Sequence, residues 1–181
     1  DQRDGTPNGY HVLEVDSTDV SVRFKAAGKP ANFQMRIMYD VMHHQQRKDA
    51  IRDSLHGTTL DGFMSEDEVA AASILVNLFD GGPKSKVSYR VNDGDYIPME
   101  RVLRTDPYIV EQFQRYESVK KSWVQATDST HIFSADLDDS ISRGTHTVTV
   151  RAIDEFGRVH HGHSILEITG GMRGTEAAVK Y

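Results

Sequence analysis

The sequence predicts a mostly β protein, an immunoglobulin-like β-sandwich with one helix and one long polar insertion. Three observations point there. Short runs alternate apolar and polar residues with a period of two. Clusters of turn-forming Gly and Asp stand between those runs. One longer stretch, opened by a proline, has helical spacing instead.

The runs follow one another along the chain. Val20, Val22 and Phe24 alternate with Ser21, Arg23 and Lys25. Phe33, Met35, Ile37 and Tyr39 alternate with Gln34, Arg36 and Met38. Ile74 to Phe79 is apolar almost throughout, the pattern of a strand covered on both faces. Val87, Tyr89 and Val91 alternate with Lys86, Ser88 and Arg90, and Asn92-Asp93-Gly94 then reads as a tight hairpin turn. Val148, Val150 and Ala152 alternate with Thr147, Thr149 and Arg151. Asp154-Glu155-Phe156-Gly157 separates that run from a last strand around Ile165–Ile168.

Two segments depart from this pattern. Asp106-Pro107 is an N-cap followed by proline at the first helical position. Ile109, Phe113 and Tyr116 continue at helical spacing, so a helix is expected over about 106–121. The polar stretch Val41 to about Ala72 reads as an insertion between strands, with Ser65-Glu66-Asp67-Glu68 as a capping box inside it. The expected organisation is thus one β-sandwich domain over 1–168, an insertion at about 41–72, and a loosely held tail over 169–181.

Composition narrows the function classes. With 38% hydrophobic and 27% charged residues, the chain suits a globular fold rather than a disordered one. A net charge of −6 without a dense Lys/Arg cluster argues against nucleic acid. No apolar run approaches the roughly 20 residues of a transmembrane helix. The absence of cysteine removes disulfides and thiolate chemistry. The start at Asp1-Gln2-Arg3, without an initiating Met or a signal peptide, suggests a processed protein or a piece of a longer one.

Several groupings could carry chemistry. His161 and His163 would share one face of a strand next to His160, and two imidazoles can hold a transition metal. No third ligand follows from spacing, so a polar strand edge explains them better. His43-His44 is a poor chelate because adjacent residues rarely hold one metal together. Asp136, Asp138 and Ser140 echo a calcium loop, but Ile141 stands at its glycine position and the terminal Glu is missing. Asp80-Gly81-Gly82-Pro83-Lys84-Ser85 lacks the spacing of a phosphate loop, and Pro83 removes an amide. No Gly-x-Ser-x-Gly elbow is present. Trp123 and nearby tyrosines could form a platform for sugar rings, although a sandwich core uses the same aromatic residues.

A set of peptides points further. Asp4-Gly5-Thr6-Pro7-Asn8-Gly9-Tyr10 stands near the start. Val22 to Ala31, Gln34-Met35-Arg36-Ile37 and Val76-Asn77-Leu78-Phe79-Asp80-Gly81 follow. Pro98-Met99-Glu100-Arg101-Val102, Asp106-Pro107-Tyr108, Ser129-Thr130-His131-Ile132-Phe133 and Gly144 to Ala152 complete the series. In this order they resemble the C-terminal domain of bacterial calcineurin-like phosphoesterases, of the metallophosphoesterase superfamily. The resemblance covers most of Asp4 to Ile168.

That resemblance implies a parent protein that hydrolyses phosphate esters with two divalent metal ions, held in a separate catalytic domain upstream. The superfamily's metal motifs are Asp-x-His, Gly-Asp-x-x-Asp, Gly-Asn-His and Gly-His-x-His. Here Gly94-Asp95-Tyr96-Ile97-Pro98 lacks the second Asp, and Gly162-His163-Ser164-Ile165 ends in Ile. No catalytic, cofactor-binding or metal residue is therefore assigned in this chain. The expectation is a non-catalytic accessory domain partnered with the upstream catalytic domain, capable of forming an oligomer. It leans to the periplasm or the exterior of a bacterium. A glycan- or ligand-binding sandwich is the alternative.

Overall fold

In the computed structural model, residues 2–41 and 62–170 are described. The pair His43-His44, most of the polar insertion and the tail from 171 lie outside them. The described chain is mostly β. The strands are β1 (Gly9–Asp16), β2 (Asp19–Ala26), β3 (Met35–Asp40), β4 (Phe63–Ser65), β5 (Ser73–Leu78), β6 (Lys86–Val91), β7 (Ile97–Thr105), β8 (Asp128–Asp136), β9 (Gly144–Ile153) and β10 (Val159–Thr169). Two helices, α1 (Glu66–Val69) and α2 (Pro107–Arg115), interrupt them.

β1 and β2 form a separate hairpin. The other strands make one sheet in the order β3-β5-β8-β7-β6-β9-β10-β4. The sheet curls, and its two halves face each other as a sandwich. β7 belongs to both halves: Ile97–Met99 pair with β6, whereas Glu100 onward pairs with β8. The switch falls between Met99 and Glu100, and a bulge between Val102 and Arg104 follows within the β8 pairing. Pro98 lies in the part that pairs with β6 alone, so its missing N–H disrupts no second ladder.

The period-two pattern explains the core. Met35 and Tyr39 of β3, Ile74, Val76 and Leu78 of β5 and Phe133 of β8 form one inner face. Opposite them stand Val87 and Tyr89 of β6, Val148, Val150 and Ala152 of β9 and Leu166 and Ile168 of β10. Each buried Val, Leu, Ile, Met or Phe among them contributes about 1.5–3 kcal/mol, so the two halves stay closed. β5 is covered on its other face too. There Leu75 joins Met38 and Ile132, with Tyr108 of α2 and Val102 packed against them.

Three expectations need correction. The helix begins where Asp106 and Pro107 place it, but ends at Arg115 rather than about Lys121. Tyr116 leaves the helical region at φ −106 and ψ 19, and Ser118 and Val119 beyond it are weak helix formers. The insertion about 41–72 is structured in its described last part. β4 adds to the sheet beside β10, and the Ser65 capping box starts α1. After β6 the turn at Asn92-Asp93 does form, with Gly94 N donating to Val91 O at 3.0 Å, but the connection to β7 is longer than a two-residue hairpin. The connection runs from Asn92 to Tyr96, with Asn92 at φ 51 and its side-chain oxygen accepting from Thr147 N at 3.0 Å.

Candidate functional site

The most concentrated chemistry lies on the outer face of the β3-β5-β8 half, at the start of α2. Asp106 is fully buried there. It is an N-cap, and its Oδ1 accepts from Tyr108 N at 2.7 Å. Its Oδ2 accepts from Asn77 Nδ2 at 2.6 Å and from Arg36 Nη1 at 3.4 Å. Arg36 also donates to Gly5 O at 2.7 Å, and its guanidinium lies 3.6 Å from the Tyr108 ring centroid. Asn77 turns its Oδ1 to His131 Nδ1 at 3.0 Å. His131 Nδ1 also meets Ser129 Oγ at 3.1 Å, and Nε2 faces the Asp4 carboxylate at 3.3 Å. Acceptors thus stand at both ring nitrogens, so a neutral imidazole donates to one side and a protonated one to both.

This network clamps the strap Gln2–Asn8 to the sandwich. Gly5 makes the approach possible: its φ is +87, and a Cβ there would come within 2.2 Å of Asp106 Oδ2. Arg3 continues the clamp, donating from Nε to Gln125 O at 2.7 Å and accepting from Thr127 N at 2.9 Å. Burial pushes the Asp106 carboxyl above its ordinary value. Asn77, Arg36 and the amides of Tyr108 and Ile109 oppose that shift without cancelling it. Burial likewise holds the Arg36 guanidinium below its ordinary value, against the pull of Asp106. The arrangement is a buried joint with its polar groups aimed at one another.

The residues singled out in the sequence lie elsewhere and do not converge. His161 and His163 are exposed and alternate with Gly162 on β10, and His163 Nδ1 meets Thr149 Oγ1 at 3.3 Å. Together with Met35, Arg36 and Ile37 they line a shallow cleft of about 290 Å³ between β3 and β10. His160 points away and bonds Asp154 Oδ2 at 3.0 Å. Asp154 also accepts from Phe156 N, Arg158 N and Arg158 Nε, which closes the β9–β10 turn. Asp138 accepts from Ser140 N at 2.8 Å within its own turn, while Asp136 accepts from Ser73. In the glycine-rich turn after β5, Glu155 Oε1 takes the Lys84 amide and Ser85 Oγ the Gly82 amide. Those amides are therefore not free to cradle a phosphate. Trp123 is 69% exposed and is no part of the core, whereas Tyr39 and Tyr89 are buried in it.

Among the described residues, no group of three or more His, Asp or Glu side chains could hold a metal ion. A two-metal phosphoesterase centre needs several such ligands around each ion, and the described residues do not fit one. No described helix is long and apolar enough to cross a membrane.

Sequence reasoning found Asp106 as a cap but missed the joint around it. A signal was present: Asn77 interrupts an apolar run, and a polar side chain in a doubly covered strand needs a buried partner. The structure also explains why separate peptides share one resemblance. Asp4-Gly5, Arg36, Asn77, Asp106 and Tyr108, and Ser129 with His131 come from five of them and meet here.

Fold and site together define a β-sandwich domain whose chain start is locked into its body. The family model for the C terminal of calcineurin-like phosphoesterase matches residues 2–160, and the chain belongs to that family. No curated protein matches the chain in sequence.

Proposed function

We propose that this chain is the non-catalytic accessory domain of a metal-dependent phosphoesterase, with the catalytic domain joined ahead of Gln2. In this reading the immunoglobulin-like unit spans 1–168, and 169–181 is its tail. The parent is a bacterial hydrolase of the periplasm or exterior, and its two metals belong to the upstream domain. The observation that carries the reading is the buried joint around Asp106. It fixes the strap Gln2–Asn8 against the sandwich, so a domain preceding the strap is held in a defined orientation. The family's description supports it, as does the scatter of the candidate ligands.

The test is hydrolysis of an aryl phosphate with manganese, zinc or magnesium supplied. The chain alone is expected to give no turnover above buffer, and a chain extended upstream to give turnover that a chelator removes. Chelator-sensitive turnover by the chain alone would overturn the proposal. The exposure of Trp123 favours a second reading, a glycan-binding module, because an open indole face can stack on a sugar ring.

A further inference from the structure

Next to the strap, one loop holds large apolar side chains in water. Tyr116, Val119 and Trp123 are 54%, 77% and 69% exposed. The loop is built from successive turns. Val119 N and Lys120 N donate to Tyr116 O at 3.0 and 2.8 Å, and Val124 N donates to Lys121 O at 2.9 Å. Its inside is occupied by Lys120, whose side chain is only 6% exposed. The Lys120 ammonium bonds Val124 O at 3.0 Å and Glu117 Oε2 at 3.2 Å. A lysine is thus turned inward while valine, tyrosine and tryptophan are turned outward, the reverse of an ordinary solvated loop. Lys121 lies 5.6 Å from the Trp123 ring centroid, which places charge at the rim of an apolar centre.

We propose that Tyr116, Val119 and Trp123 form the surface on which the parent's phosphoesterase catalytic domain docks. The inference rests on the accessory-domain reading. The tether identifies the occupant. Arg3 is bonded to Gln125 and Thr127, so any domain joined ahead of Gln2 emerges beside this loop. Covalent linkage makes the contact intramolecular, which lowers the patch area needed for docking. Tryptophan and tyrosine are the residues that most often anchor such contacts.

Hydrogen exchange read by mass spectrometry tests the proposal, comparing this chain with one extended through the upstream domain. Aryl-phosphate turnover is measured on the same extended sample. Amides of 116–125 are expected to exchange about tenfold more slowly in the extended chain, and Val119→Asp in that chain to restore fast exchange. Unchanged exchange in this loop, with chelator-sensitive turnover present, overturns the docking surface and leaves the accessory reading standing. Protection confined to the exposed stripe Leu13, Val15 and Val20 of the β1–β2 hairpin does the same. An extended chain without chelator-sensitive turnover overturns both. Protection of the loop in this chain by cello- or chito-oligosaccharides, with none from the upstream domain, assigns the surface to sugar and overturns the proposal.

Discussion

Replacing Asp106 with alanine removes the acceptor for Tyr108 N, Asn77 Nδ2 and Arg36 Nη1 at 2.7, 2.6 and 3.4 Å. A lost N-cap costs about 1 kcal/mol. A buried amide left without its partner costs about 1–3 kcal/mol. Removing one member of a buried ion pair costs about 3–5 kcal/mol, but Arg36 keeps Gly5 O and its stack on Tyr108, which lowers that figure. The losses share atoms and do not add, so the expected destabilisation is about 3 kcal/mol. Against a total of about 5–15 kcal/mol this is large. Urea unfolding followed by far-UV circular dichroism should show a lower midpoint at unchanged slope. Asp106→Asn separates charge from shape. It keeps one acceptor oxygen but turns its NH2 toward a donor, Tyr108 N on one side or Asn77 Nδ2 and Arg36 Nη1 on the other, so a loss of about 1–3 kcal/mol is expected. The sign of the pH effect follows from the raised carboxyl. Its stability contribution is full below the ordinary value of 3.8 and is lost as pH rises through the folded value, a slope Asp106→Asn should lack. A loss under about 1 kcal/mol for Asp106→Ala would refute the reasoning, since the joint would then hold nothing.

Further outcomes follow from other residues. Burial pushes the Tyr39 phenol up to about 12, so a spectrophotometric titration should show a late-ionising tyrosine that Tyr39→Phe removes. The stability tied to Tyr39 is present below pH 10.0 and lost as pH rises through its folded value; a titration complete near 10 would contradict this. Asp154 is held below its ordinary value, where bonds from His160, Arg158 and Phe156 outweigh the opposing effect of burial. Its contribution is present above pH 3.8 and lost on acidification, and Asp154→Asn should flatten the acid limb of the unfolding profile. Replacing His161 and His163 together with alanine should change stability by less than about 0.5 kcal/mol, because both are exposed. Stoichiometric zinc that raises the melting temperature of the wild type, and not of that variant, would reverse this conclusion.

The strands with strict alternation were legible because one inner face selects apolar residues at every second position. β3, β6 and β9 showed it, whereas β5 was legible as a nearly continuous apolar run because both its faces are covered. β7 was not legible as a strand: it changes layers between Met99 and Glu100, so the residues it buries change face partway along. β1 escaped because its apolar stripe is largely exposed, and no core enforces a pattern on its neighbours. The start of α2 could be read from Asp106 and Pro107, which act locally. Its end could not, because the turns held by Lys120 prevail over helical spacing. The joint around Asp106 was the least accessible feature. Its members are spread from Asp4 to His131 and are brought together only by strand order.

β7 also bears on how this protein folds and fails. Its first residues complete one layer and its last residues the other, so neither layer can open without breaking a ladder in β7. Separate melting of the two layers is thereby disfavoured, and a single cooperative transition is expected. Folding pairs near and distant strands alike. β5 must wait for β8 and β6 for β9, both far along the chain, so refolding should take milliseconds to seconds. During that interval the edges of β5 and β6 stand open, and aggregation competes with folding there.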